Sequence, residues 1–450
     1  MIESRWAPRS SKPLWRCEST ARWVRLPSTP AISLIEGPPK NGVVGTAGRT
    51  LSHVLSLAKD RLQVVSKPLL SKVEGGQSSG EGARNQLVGM SGIPFFQTLL
   101  DRHSSRIGLG WVMKMKETWR QFEQYRGKIE QQREEIRKRI IGLPDFIESL
   151  FICFYSHSER KLGPHLLVEG GVGKGKTVTL DTFTRTISGA TFSRIQFTPD
   201  LRPLDLIRIV EQREDRTLEF HSGPLFANLV LADEINRAHE KTRAALLEAM
   251  GEKQITIGRD TYPLEEPFFV MATENPIDIE GTFMLGAAQL DRFMMKIYTE
   301  PLSEEEELLI AETHQQEEPE IKQVLSKAEV LEIQEFIRKH IVVDPKIRRE
   351  MIRIVRALRA EGGIVVPEDF YLLPEGERGY LFLERGAKVR AFLQGRDHVT
   401  LSDVAVLALP ILNHRIGFQY APKDVERLVT ARDLISRAVE KVVEDGARGL

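Results

Sequence analysis

Between residues 165 and 300 short apolar runs alternate with stretches whose apolar residues fall at helical spacing. The runs predict strands at 165–169, 193–198, 229–233, 268–273 and 294–299. The intervening pattern predicts helices near 176–187, 203–211, 239–251 and 286–292. Strand-like runs that alternate with helical ones in this way imply a parallel sheet covered on both faces, an α/β fold. Between the third and fourth strands, ITIG-RD-TYPL reads as a β-hairpin with a glycine-containing turn. After residue 301 only helical patterns follow, near 303–313, 327–340, 345–361, 379–395, 402–412 and 424–443, which predicts an all-helical domain over 301–450. Upstream, 115–140 is dense in Glu, Lys and Arg with a poor apolar repeat, the pattern of a solvated charged helix. PDFIESLFICFYS (144–156) predicts a second, more buried one.

Residues 1–114 follow a different rule. Pro and Gly interrupt each short apolar patch, and 74–92 has the composition of a Gly/Ser-rich linker. A poorly ordered leader is expected, with one short amphipathic helix possible over 51–73. Met113 or Met115 would serve as an alternative start. Charge sharpens this division. The 63 basic and 63 acidic residues cancel overall, but residues 1–110 hold 15 Lys/Arg against 7 Asp/Glu, leaving 48 against 56 in the remainder. A mildly acidic working part argues against nucleic acid as the partner. No apolar run approaches the roughly 20 residues of a membrane helix, so no membrane association is expected. The two cysteines, Cys17 and Cys153, are far apart and lack metal spacing, which suggests a cytoplasmic, reducing setting.

The chemistry begins where the first strand ends. LLVEGGVGKGKT (166–177) fits the phosphate-binding pattern G-x-x-x-x-G-K-[ST] at Gly170, Gly175, Lys176 and Thr177. A strand before and a helix after is the context that pattern needs. Glycines let backbone N–H groups face a phosphate, and the helix N-terminus adds partial positive charge. The loop Gly170, Gly171, Val172, Gly173, Lys174, Gly175, Lys176 and Thr177 is therefore expected to bind ATP. Lys176 would reach the β/γ-phosphates and the Thr177 hydroxyl would bind Mg²⁺. LVLADE sets four apolar residues before two carboxylates. Asp233 suits the Mg²⁺ side and Glu234 the activation of water, which together imply hydrolysis. The strand FFVMAT ends near Asn275, whose amide could orient the same water or simply serve the turn before Pro276. Arg292, taken alone, says little.

Six blocks taken together carry a resemblance: EGGVGKGKT, RIQFTPDLRPLD, GPLFANLVLADEINRA, KTRAALLEAM, ATENPIDIEGT and AAQLDRF. In this order they resemble the MoxR-type AAA+ ATPases over roughly 137–420. The resemblance implies a five-stranded AAA+ P-loop core (115–300, with its N-terminal helices), a helical lid (301–450) and assembly into a homo-oligomeric ring, usually hexameric. It assigns Asn275 to the sensor-1 position, Arg292 to the arginine finger that reaches a neighbouring subunit's γ-phosphate, and Arg378 to sensor 2. It places 200–222 and 254–264 at the family's two insertions, facing the pore or client. It further implies a chaperone-like remodeller of a protein client, commonly with a von Willebrand factor A domain partner and sometimes in metal or cofactor insertion. Val172 and Lys174 depart from the family's loop, Leu285–Gln289 lacks its acidic residue, and Arg378 follows Gly376-Glu377 instead of Ser-Pro. A DNA-engaged motor or a nucleotide-gated scaffold are the competing expectations. The mixed charge of 252–264 speaks against the first and the full set of catalytic residue types against the second.

Overall fold

The computed structural model describes residues 109–159, 162–170, 175–212, 218–257, 260–275, 283–299, 302–313, 317–358, 370–372, 377–418 and 424–448. The leader up to residue 108 lies outside them. Residues 106–450 form one compact unit.

Helix α1 (Leu109–Arg137) and helix α2 (Pro144–Tyr155) precede the core. Five parallel strands follow: β1 (His165–Glu169), β2 (Phe192–Gln196), β3 (Leu229–Asp233), β4 (Phe269–Glu274) and β5 (Phe293–Tyr298). Their order across the sheet is β5-β1-β4-β3-β2. The period-2 alternation of side chains explains why whole strands are apolar. Leu166, Val168, Leu229, Leu231, Phe269 and Met271 enter one core with α2 and the C-terminal helices. Leu167, Val230, Ala232, Val270 and Ala272 enter a second core on the opposite face. Helices α3 (Lys176–Arg185), α4 (Pro203–Ile207), α5 (Glu240–Glu252) and α6 (Ala287–Leu290) link the strands.

After β5 come α7 (Glu304–Thr313), α8 (Lys327–His340), α9 (Pro345–Ala357), α10 (Arg378–Leu393), α11 (Leu401–Leu412) and α12 (Asp424–Arg448). The helices α8, α9, α10 and α11 contribute to the first core. A buried carboxylate secures its centre. Asp403 is fully buried and accepts from Arg390 at 2.7 Å and from Arg396 at 2.6 and 2.7 Å. Burial works against its charge, but Arg396, Thr400 and Arg390 hold its pKa down to about 2.

Three expectations need correction. Helix α1 is not merely solvated: Phe122, Tyr125, Ile129 and Ile136 are buried at helical spacing. On the same face the Tyr155 hydroxyl donates to Gln132 Oε1 at 2.6 Å, and Gln132 Nε2 donates to Thr186 Oγ1 at 2.7 Å. Only a few apolar residues define that stripe, so the charged majority masks it in the sequence. The helix expected at 203–211 stops at Ile207. Residues Arg208–Gln212 instead pair antiparallel with Leu218–Ser222. The C-terminal part is also not wholly helical, since Phe370–Leu372 pairs with Ile416–Phe418 and Leu325–Ser326 with Ile187–Ser188. The hairpin expected at 254–264 is present as Gln254–Ile257 paired with Asp260–Pro263.

Candidate nucleotide-binding site

Parallel strands gather their C-terminal ends along one edge, and the loops leaving that edge carry the candidate groups. Glu169 and Glu274 face each other across β1 and β4, and Gln196 faces Asp233 across β2 and β3. Gly170, Glu234 and Asn275 follow directly. Gly171, Val172, Gly173 and Lys174 lie outside the described residues, but both ends of the loop are described. At its root Gly170 packs so closely on Thr299 that a Cβ would sit 1.9 Å from the Thr299 Oγ1. At its far end Gly175 has φ +70°, a left-handed conformation that glycine adopts without strain. Lys176 opens α3 and donates from Nζ to the Gly170 carbonyl at 2.8 Å. The lysine thus spans the loop mouth where phosphates would enter. A glycine-pinched loop closed by a lysine and backed by a helix N-terminus fits a triphosphate.

The carboxylates beside it are tied into a network. Thr273 Oγ1 donates to Asp233 Oδ1 at 2.6 Å and accepts from the Glu234 N–H at 2.9 Å. Arg194 donates to Asp233 Oδ2 at 2.6 and 3.2 Å. Glu234 takes a left-handed backbone (φ 56°, ψ 49°), a conformation costly for a residue with a Cβ and often found at working sites. Its side chain accepts from Gln196 Nε2 and from Arg237 Nε, both at 2.9 Å. In this state the glutamate is held by its neighbours. Asn275 stands at the same edge and is 9% exposed. A Mg²⁺ ion needs few protein ligands when phosphate and water complete its shell, so one Thr and one Asp suffice chemically. Among the described residues no cluster of three or more His, Cys, Asp and Glu side chains is built to hold a metal independently. Sequence reasoning did not single out Gln196, Arg194 or Thr273, because nothing in their local sequence marks them. They matter through strand register alone.

Arg292 and Arg378 are elsewhere. In the β1–β5 register Phe293 stands beside His165 at the start of the strands, and Tyr298 beside Glu169 at their end. Arg292 precedes Phe293, so about 16 Å of strand separates it from the level of the phosphate loop. Its guanidinium is half-buried and donates to the Leu247 carbonyl. Burial, then the nearby Arg378, lower its pKa from the ordinary arginine value. Arg378 opens α10 and pairs with Asp291 Oδ2 at 2.8 Å. Asp291 Oδ1 also accepts from the buried Arg415 at 3.1 Å. Burial pulls the pKa of Arg415 down to about 10 against the pull of Asp291. Arg378 and Arg415 therefore share the Asp291 carboxylate, with Arg292 close to Arg378, at the end of the sheet opposite the chain's own phosphate loop.

A β5-β1-β4-β3-β2 parallel sheet with a phosphate loop after β1, paired carboxylates after β3 and a helical bundle behind defines an AAA+ P-loop ATPase. Residues 165–295 match the ATPase family associated with various cellular activities (AAA), and 368–437 match the AAA lid domain. The chain is 38% identical over 291 residues to Chaperone MoxR1 of Mycobacterium tuberculosis, spanning 64% of this chain and 74% of that protein. It is 30% identical over 326 residues to Protein MoxR of Methylorubrum extorquens, spanning 68% and 92% respectively. A crystal structure of a candidate ATPase from Cytophaga hutchinsonii shares 36% identity with a TM-score of 0.64, over 71% of this chain and 98% of that one. The chain belongs to the MoxR-type AAA+ ATPases.

Proposed function

We propose that this chain hydrolyses ATP in a Mg²⁺-dependent reaction completed between two copies, and that the ring so formed remodels a protein client. One observation carries the reading. The groups suited to hold and cut a triphosphate lie at the C-terminal edge of the sheet, while Arg292 and Arg378 lie at the other end, beyond reach of their own loop. A site split in this way is complete only when a second copy brings its arginines to the first copy's phosphates. Within one copy, Lys176 and the loop amides bind the phosphates, and Thr177 and Asp233 are the groups suited to hold the ion. Bound Mg²⁺-ATP supplies an electrophilic γ-phosphorus and a leaving ADP. Glu234, once released from Gln196 and Arg237, accepts the proton of the attacking water, and Asn275 orients that water. Arg292 of the adjoining copy neutralises charge developing on the phosphoryl oxygens.

The chaperone part of the reading rests on the likeness to Chaperone MoxR1 of Mycobacterium tuberculosis. A partner carrying a von Willebrand factor A domain is the binding class that the family resemblance of the sequence implies. No helix among the described residues is long and apolar enough to cross a membrane. The test mixes two inactive variants. Arg292→Ala keeps an intact Glu234, and Glu234→Gln keeps an intact Arg292. Mixed rings contain interfaces with both groups, so activity should return on mixing. If activity stays absent while mixed assemblies are present, the split site is wrong.

A further inference from the structure

Lys296 of β5 is largely buried beside Leu167 of β1, near the strand end from which the phosphate loop leaves, and the reaction outlined above does not use it. Its ammonium sits 2.5 Å from Glu169 Oε2 and 3.2 Å from Glu274 Oε2. Both carboxylates are themselves largely shielded, at 10% and 13% side-chain exposure against 11% for the lysine. Burial works against the charge of Lys296, yet Glu274, Tyr298 and Glu169 outweigh it and raise its pKa above the ordinary lysine value. Glu169 is the last residue before Gly170, and Glu274 the last before Asn275. The same place is braced by backbone: the Gly170 N–H donates to the Glu274 carbonyl at 3.2 Å, and the Thr299 N–H to the Glu169 carbonyl at 3.0 Å. From the helical bundle, Asn413 Nδ2 donates to the Lys296 carbonyl at 2.9 Å.

We propose that Lys296 is a positioning residue for ATP hydrolysis, clamping Glu169 to Glu274 so that the root of the phosphate loop and the Asn275 strand end keep one fixed spacing. Without the ammonium no ion pair joins these two side chains, which face each other in register, and the ends of β1 and β4 lose that tie. ATP binding depends mainly on the loop, whereas cleavage depends on the loop and Asn275 acting on the same atoms. Displacing one against the other by about 1 Å can cost roughly a hundredfold in rate. Loss of the clamp should therefore lower kcat far more than it weakens binding. This inference rests on the ATPase reading above.

The experiment measures equilibrium ATP binding and steady-state hydrolysis for the full chain, with Lys176→Ala as the control. Lys296→Met is expected to lower kcat at least tenfold while the Kd for ATP stays within about threefold. That substitution strands two buried carboxylates and could prevent folding. The triple variant K296M/E169Q/E274Q removes all three charges together and should show the same split in a folded protein. A folded variant of either kind with kcat within threefold of wild type overturns the proposal. So does one whose Kd rises as much as its kcat falls, since that marks general damage to the loop. Wild-type protein that binds ATP no better than Lys176→Ala would instead sink the ATPase reading itself.

Discussion

The two ends of the central sheet differ in how their charges are arranged. At the C-terminal edge, positive and negative groups are interleaved: Lys176 over the loop, Arg194 on Asp233, Arg237 on Glu234 and Lys296 between Glu169 and Glu274. At the N-terminal end Arg378 and Arg415 both pair with Asp291, and Arg292 lies close to Arg378 and within electrostatic reach of Glu252 and Glu248. The first edge is organised for a ligand that brings anionic phosphates to glycine amides and one lysine. On the proposed function, the second brings Arg292 to an anion that arrives from outside the chain, so that one half of the reaction site stands at each end.

Breaking the second half should have the largest effect. Arg292→Ala should reduce kcat by roughly 10³–10⁵ with ATP affinity kept, read by steady-state turnover and equilibrium binding. Glu234→Gln should lower turnover by about 10²–10⁴ and likewise leave binding intact. If Arg292→Ala reduced affinity in a dilute, monomeric sample, the arginine would be acting on its own chain's nucleotide and the contrast between the two ends would collapse.

A smaller effect concerns the carboxylate that organises the arginines. Asp291→Ala leaves Arg415, 7% exposed at its side chain, without its charged partner. Thermal or urea unfolding should show a loss of about 3 kcal/mol, and turnover should fall because the turn carrying Arg292 loses its tie to α10. Unchanged stability would mean that the lid and the finger are independent.

The last effect, on stability alone, lies at the start of β1, at the N-terminal end of the sheet. His165 is fully buried; its Nδ1 accepts from the Val270 N–H and its Nε2 donates to the Met250 carbonyl, both at 3.1 Å. That pair of bonds suits only the neutral ring. Burial lowers its pKa from 6.5 to about 4, against the opposing pull of Met250. The unfolded chain therefore takes up a proton first as pH falls. The stability contribution is complete above pH 6.5 and is lost progressively down to pH 4, by roughly 3 kcal/mol. His165→Gln should flatten the unfolding free energy across that window relative to wild type. An equally steep pH dependence in the variant would assign it to other groups.

How much of this could be read in advance varies by element. Four of the five core strands were legible as largely apolar runs, while β2 carries Ser193, Arg194 and Gln196 and has the weaker pattern. The phosphate loop was legible because its glycines, lysine and threonine sit within eight consecutive positions. The stripe on α1 was not, since Phe122, Tyr125, Ile129 and Ile136 are outnumbered by charged neighbours. Nor was the turn into a hairpin at Arg208, where antiparallel pairing with Leu218–Ser222 overrides a helical pattern.

Properties carried by neighbouring residues were already settled in the linear chain: strand, loop, helix, and residue types suited to hold phosphate and activate water. Properties that depend on residues far apart in the chain were decided only on folding. Strand order puts Gln196 on Glu234, Thr273 on Asp233 and Lys296 between two carboxylates. Parallel register carries Arg292 to the end of the sheet away from Lys176. Local pattern fixes backbone conformation through short-range sterics and burial. Charge pairing across strands needs the register, and the register exists only once both cores have closed on the sheet.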